Sequence, residues 1–327
     1  MLSKYHNQLV NNTESFKDTV LKIYQYQYNK NKIYRKYIDL LGRNNKKISQ
    51  IENIPFLPVE LFKYHKILCE EKYDIVFYSS GTTSSEKSVH YVHDLKLYEE
   101  SALKSFTNFY GHPGKYCFLA LLPGYVENKS SSLVYMLNYF INIGKHPDSG
   151  FYLYEHEQLL KKLFKLEKEK QKAILFGVTH ALLDLADKID FPLNNTIIIE
   201  TGGMKGLKKE LTKAELYEIL KNKYQTDRIH SEYGMTELLS QAYAKKDARF
   251  YPPSWMRIFI RDLYDPFNIL PHGKKGAINI IDLANYHSCS FIATSDIGIS
   301  YQDGSFEVLG RVDKSDIRGC NLLVENV

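Results

Sequence analysis

Between Ile75 and Tyr224, short apolar runs of strand length alternate with longer stretches of helical periodicity. Ile75–Tyr78, Cys117–Leu122, Ala173–Gly177 and Thr196–Glu200 read as strands. Leu95–Tyr110, Glu155–Gln171 and Lys208–Tyr224 read as helices, the second carrying Leu159, Leu160, Leu163, Phe164 and Leu166 on a helical stripe. Strands separated by helices predict an α/β fold with a mainly parallel sheet. Residues 1 to about 50 read as polar helices, with Tyr24, Tyr28 and the Ile33-Tyr37-Leu41 series as their buried stripes. From Trp255 onward the pattern becomes strand-rich, with Ile278–Leu283 as a strand and turns at His272-Gly273, Gly298 and Asp303-Gly304. This predicts an α/β core over 1–254 with a helical N-terminal segment, a smaller β-rich subdomain over 255–312, and a short tail over 313–327.

The first strand-like run leads into Tyr78-Ser79-Ser80-Gly81-Thr82-Thr83-Ser84-Ser85-Glu86-Lys87. Hydroxyls and backbone amides at a strand end can wrap phosphate oxygens, and a lysine can neutralise them. The stretch Gly81 to Ser88 is one residue from a Walker A loop, but Glu86 stands where the second glycine is needed. An acidic side chain there obstructs close approach of backbone to phosphate, so a P-loop NTPase is not expected. A plain Ser/Thr-rich turn is the other reading.

Three more polar clusters follow. After Thr196–Glu200 comes Thr201-Gly202-Gly203-Met204-Lys205-Gly206, whose paired glycines allow backbone to approach a flat ring or a phosphate, or simply form a tight turn. In Ser231-Glu232-Tyr233-Gly234-Met235-Thr236-Glu237, Tyr233 can stack on a base, Thr236 can reach a phosphate oxygen and Glu237 can hold Mg²⁺. The same residues also fit a loop in which Thr236 caps a helix starting at Glu237. In Thr294-Ser295-Asp296-Ile297-Gly298, Asp296 can accept both hydroxyls of a ribose or serve as a turn aspartate. Gly310-Arg311-Val312-Asp313 lies near the end of the chain.

Taken in order, S-S-G-T-T, Y-G-M-T-E, S-D-I-G and G-R-V-D resemble the successive motifs of the adenylate-forming superfamily, with Ser84 and Glu86 departing from its phosphate loop. The resemblance implies that superfamily's large N-terminal domain, mainly parallel sheets with helices plus a smaller β-rich subdomain. It also implies ATP and Mg²⁺ as cofactors. By carry-over, Ser80, Gly81, Thr82, Thr83 and Lys87 would serve the phosphates. Tyr233, Gly234, Gly202 and Gly203 would attend the adenine. Thr236 and Glu237 would serve phosphate and Mg²⁺, and Asp296 and Arg311 the ribose. Members usually continue into a small C-terminal domain that brings in a lysine, whereas fourteen residues follow Asp313 here, so either the sequence is a piece of a longer chain or its branch does without that domain.

A branch without that domain is similar to this chain from about Pro55 onward: the LuxE-type acyl-protein synthetases. Leu121-Leu122-Pro123-Gly124-Tyr125, Ser130–Met136, Glu200–Gly206, Ser231–Gln241, Trp255-Met256-Arg257 and Ile317-Arg318-Gly319-Cys320 carry the resemblance. It implies that Cys320 accepts the acyl group as a thioester. It further implies a fatty carboxylic acid substrate and, as partners, an acyl reductase and an acyl-transferase protein. Cysteine suits that role because its thiolate is a strong nucleophile, and Arg311 and Arg318 lie near it in sequence. An incidental cysteine in an apolar tail is the other reading. The alternatives for the whole chain are an adenylating acyl-CoA ligase with Cys320 idle, and a nucleotide-binding module without catalysis.

Composition narrows the classes further. A net charge of +5 spread along the chain, without a basic stripe, gives no nucleic-acid footprint. No run approaches a membrane span or a signal peptide. Cys69, Cys117, Cys289 and Cys320 form no C-x-x-C pair, which fits reduced thiols and a cytoplasmic location.

Overall fold

The computed structural model describes residues 15–43, 48–79, 87–122, 130–153, 155–202 and 211–311. In chain order the strands are β1 (Leu57–Pro58), β2 (Ile75–Tyr78), β3 (Val89–Val92), β4 (Cys117–Leu121), β5 (Gly150–Tyr152), β6 (Ala173–Val178) and β7 (Thr196–Thr201). They continue with β8 (Ile229–Tyr233), β9 (Ala242–Ala244), β10 (Met256–Arg261), β11 (Ile269–Leu270), β12 (Lys275–Asp282), β13 (Phe291–Ser300) and β14 (Phe306–Arg311). The chain forms two compact units, one holding the described residues within Met1–Ser101, Met235–Ser240 and Pro252–Val327, the other those within Ala102–Gly234 and Gln241–Tyr251.

The second unit is the α/β body that the alternation predicts. Its sheet runs β5-β4-β6-β7-β8-β9 and is parallel except for β9. Every residue of β4 and β6 is buried. That is why these strands read as unbroken apolar runs: a parallel sheet covered on both faces has no wet side. The helix His156–Lys168 buries Leu159, Leu163 and Leu166 and leaves Phe164 exposed, so its apolar stripe is narrower than the sequence reading. The helix Lys213–Tyr224 starts at a capping box made by Thr212 and Glu215, which fixes its first turn after residues that lie outside the described set.

The first unit is built on the sheet β1-β13-β12-β10-β11, with β14 also on β13. β2 and β3 form a separate antiparallel ladder. The run Ile75–Tyr78 is therefore a strand as expected, but not one of the parallel sheet. Its ladder with β3 is antiparallel and is extended by Ser79 N donating to Ser88 O and Ser88 N to Ser79 Oγ, both at 3.0 Å. Ten residues are too few for a parallel crossover but ample for a hairpin. Gly298 corrects a second expectation. It lies within β13 rather than at a turn, because a β-carbon there would stand 2.3 Å from Glu307 O and 2.7 Å from Ile278 Cδ1. The glycine marks close strand approach.

The N-terminal stripes also differ. Tyr24 and Tyr37 are buried, but Tyr34 and Ile38 take the inner positions expected of Ile33 and Leu41. Asn31 ends one helix and caps the next through Ile33 N and Tyr34 N, which resets the helical phase. Gln27 then docks this pair, donating to Asn285 O and Tyr286 O and accepting from Ser290 N.

Candidate active site

Asp296 and Arg311 were expected near one ligand group, and the sheet makes them cross-strand partners. A register shift between Ile297 and Gly298 brings Arg311 opposite Asp296 at the end of β14. Arg311 Nε donates to Asp296 Oδ1 at 2.9 Å, with the carboxylate buried and the guanidinium largely exposed. Asp296 N donates to Thr294 Oγ1, so the residue sits on a strand and is no turn aspartate.

Glu237 belongs to the same electrostatic neighbourhood. Burial pushes its carboxyl up from the usual carboxylate range, and Asp296 pushes the same way; a hydrogen bond with Ser88 and the charge of Arg311 oppose them. Glu237, Asp296, Arg311 and Ser88 are thus brought together within the first unit. Thr236 and Glu237 lie in a turn, not at the start of a helix.

That turn is held by side chains the sequence reading did not single out. His90 Nδ1 lies 2.7 Å from Thr236 O. Asn285 Nδ2 donates to Glu237 O at 2.6 Å. Buried Asp282 accepts from Leu239 N, Ser240 N and Ser240 Oγ at 2.9, 3.0 and 2.6 Å, and from Ala284 N. Trp255 Nε1 donates to Ser240 Oγ. Burial raises the Asp282 carboxyl while these donors pull it down. A buried carboxylate with four donors can remain charged, and it then pins the backbone that carries Thr236 and Glu237.

In the second unit, Gly202 follows β7 with φ +90°, a conformation that favours glycine, and no described residue stands within 4 Å of its β-carbon position. Tyr233 ends β8 and packs edge-on against Phe250, ring centroids 5.9 Å apart. Gly234 is needed for a different reason: a β-carbon would meet Glu232 Oε1 at 2.5 Å. The ends of β7 and β8 are tied by two buried glutamates. Thr201 donates to Glu232. Glu200 accepts from Thr179, from Lys213 in an ion pair, and from Ser231 Oγ at 3.0 Å. Burial raises the Glu232 carboxyl to about 7, with Glu200 adding to the rise and Thr201 and Lys213 resisting it. A glutamate at the end of an isoleucine run is the one trace of this cluster in the sequence.

Ser80, Gly81, Thr82, Thr83, Gly203 and Cys320 lie outside the described residues. Lys87 is described and is exposed beside β3. The three described cysteines, Cys69, Cys117 and Cys289, are free and buried. Burial raises all three thiols, Cys117 to about 11 and Cys289 to about 12. Such thiols are poorly ionised and poorly nucleophilic. Among the described residues no helix is long and apolar enough to cross a membrane.

The architecture is that of the large N-terminal domain of adenylate-forming enzymes. ATP-bound MatB from Rhodopseudomonas palustris is similar at a TM-score of 0.56 and 14% identity, covering 75% of this chain and 49% of that one. A long-chain-fatty-acid-CoA ligase (FadD1) from Archaeoglobus fulgidus is similar at 0.53 and 16%, covering 72% and 51%. The luciferase-like enzyme from the nonluminescent mealworm Zophobas morio gives 0.53 and 16%, covering 75% and 59%. The chain therefore spans about half the length of the first of these structures. No curated protein matches it. The family model for acyl-protein synthetase, LuxE, matches residues 126–327, more than half of the chain. The chain belongs to the LuxE acyl-protein synthetase family.

Proposed function

We propose that this chain activates a long-chain fatty carboxylic acid with ATP as an acyl-adenylate, then takes the acyl group onto Cys320 for delivery to an acyl reductase, with an acyl-transferase as a further partner. The observation that supports it most is the grouping of Glu237, Asp296, Arg311 and Ser88 in a chain of this family. A carboxylate oxygen of the acid attacks the α-phosphorus, and the bond to the β-phosphate oxygen breaks as pyrophosphate leaves. Asp296, oriented by Arg311, accepts the ribose hydroxyls. Tyr233 lies against the adenine, with Gly202, Gly203 and Gly234 beside it. Ser80, Gly81, Thr82, Thr83, Thr236 and Lys87 hold phosphate oxygens. This work is mainly positioning and neutralisation of charge.

Glu237 suits Mg²⁺, which takes one or two carboxylates and completes its shell with phosphate oxygens and water. Bound there, the ion would neutralise charge developing on the phosphates. Its own charge would also relieve the cost of keeping a buried carboxylate ionised. In the second half-reaction the Cys320 thiolate attacks the acyl carbon, the bond to the AMP oxygen breaks, and AMP leaves. The high pKa values of the described cysteines favour Cys320 as acceptor.

The test is intact-mass analysis after incubation with ATP, Mg²⁺ and a panel of carboxylic acids. The expected result is one hydroxylamine-labile acyl adduct whose mass names the preferred acid. Acyl-CoA formed on addition of CoA, with no protein adduct, would instead establish a CoA ligase.

A further inference from the structure

His90 and Asn285, which bond to the carbonyls of Thr236 and Glu237, line a cavity of about 10 Å³ together with His93, Leu239, His287 and Ser288. That is about the room one water centre needs. Among the described residues, four buried polar atoms of its lining have no hydrogen-bond partner: His90 Nε2, Asn285 Oδ1, and both ring nitrogens of His287. Their donor and acceptor roles follow from the bonds made at the other ends of the side chains. His90 Nδ1 faces the carbonyl of Thr236 at 2.7 Å, so it carries the proton. Burial holds the ring pKa down at about 4, against the opposing pull of the Thr236 carbonyl and of the adjacent Asn285 side chain, so the ring is neutral; with its one proton on Nδ1, Nε2 is an acceptor. Asn285 Nδ2 donates to Glu237 O at 2.6 Å, which leaves Oδ1 as an acceptor too. Two acceptors on neighbouring side chains cannot satisfy each other. A water can, donating one hydrogen to each and accepting the N–H of His287. Three bonds are typical of a buried water.

We propose that one ordered water occupies this cavity, bridging His90 Nε2 and Asn285 Oδ1, and that His90 and Asn285 are positioning residues which fix the carbonyls of Thr236 and Glu237. A metal is a poorer occupant, since among the described residues no three His, Cys, Asp or Glu side chains are grouped to hold one. The kinetic consequence rests on the proposed adenylation reading; the water does not.

The experiment has two arms. A high-resolution crystal structure of the wild-type chain should show one water within hydrogen-bonding distance of both His90 Nε2 and Asn285 Oδ1. A dry cavity, or direct contact of the two side chains, overturns the bridge. In the second arm, acid-dependent ATP–pyrophosphate exchange is measured for Asn285→Asp, His90→Leu and His90→Asn, each first shown to be folded by circular dichroism. Asn285→Asp turns the donor to Glu237 O into an acceptor. His90→Leu removes the donor to Thr236 O, and His90→Asn retains it. The first two should lose about tenfold or more in kcat with KM for ATP changed less than about threefold, and His90→Asn should stay within about threefold of wild type in kcat. Wild-type kcat in folded Asn285→Asp and His90→Leu overturns the positioning role. If the wild-type chain exchanges no pyrophosphate with any acid, the adenylation reading and this positioning role in it fail together, while the crystal structure still decides the water.

Discussion

Asp296 shows how far a single residue could be read before its surroundings were known. The motif around it marked a carboxylate able to take a ribose, and Arg311 was marked separately, fifteen positions on. Their direct pairing across β13 and β14 was hidden, because it depends on a register shift that no local pattern announces. The pairing sharpens the expected outcome of Asp296→Ala. Charge-assisted hydrogen bonds worth about 1.5–3 kcal/mol would be lost, so ATP affinity should fall by roughly ten- to a hundredfold. Calorimetry on the folded variant checks this, and unchanged affinity removes Asp296 from the site. Glu237 makes a different prediction. Its carboxyl is buried near Arg311 and Asp296. A neutral glutamine there should still permit nucleotide binding but weaken neutralisation of the phosphates. Glu237→Gln should therefore slow pyrophosphate exchange by about tenfold or more while ATP affinity changes little. Equal exchange rates for the two proteins count against the role.

At the scale of elements, the parallel strands were the most legible part of the chain. β4 and β6 are buried throughout and β7 at every residue but Ile197, and burial on both faces writes itself into composition. β8 was not legible as a strand. Its sequence Ile-His-Ser-Glu-Tyr is polar, yet four of the five residues are buried. Tertiary hydrogen bonds make that tolerable: Ser231 donates to Glu200, and Glu232 accepts from Thr201. The alternation of strands and helices placed Ile75–Tyr78 with the parallel strands, whereas among the described residues β2 pairs only with β3, because a strand-like run does not reveal its partner. The glutamates at the ends of β7 and β8 carry a pH prediction. Glu232 has a folded pKa of about 7 against an ordinary value of 4.5. A raised carboxyl favours the folded state while protonated, so its contribution is present below about 4.5 and lost as pH rises through about 7. Glu232→Gln keeps an acceptor for Thr201 and cannot ionise. The stability of Glu232→Gln relative to wild type should therefore rise between pH 5 and pH 7.5, by up to a few kcal/mol in urea unfolding. A difference that stays constant with pH would show that Glu232 does not carry this titration.

For the whole molecule, order along the chain was more informative than any one motif. Four loops with ordinary turn chemistry each had a bland reading. Their succession pointed to one fold, which the structure has, and to the family that the chain belongs to. What the succession did not reveal is the support beneath the loops: His90, Asp282 and Asn285 under Thr236 and Glu237, and Glu200 with Lys213 behind the ends of the strands. These contacts join residues distant in sequence, so no window of the chain contains them. The central claim is that one chain both activates an acid and carries it on Cys320. Its most direct test is a paired measurement on Cys320→Ser and wild type: acid-dependent ATP–pyrophosphate exchange, and the acyl adduct by intact mass and peptide mapping. Serine lacks the ready ionisation of a thiol. The account predicts that Cys320→Ser keeps the exchange and loses the hydroxylamine-labile adduct, which in wild type maps to Cys320. An adduct that persists in Cys320→Ser, or that maps to Cys69, Cys117 or Cys289, would contradict it.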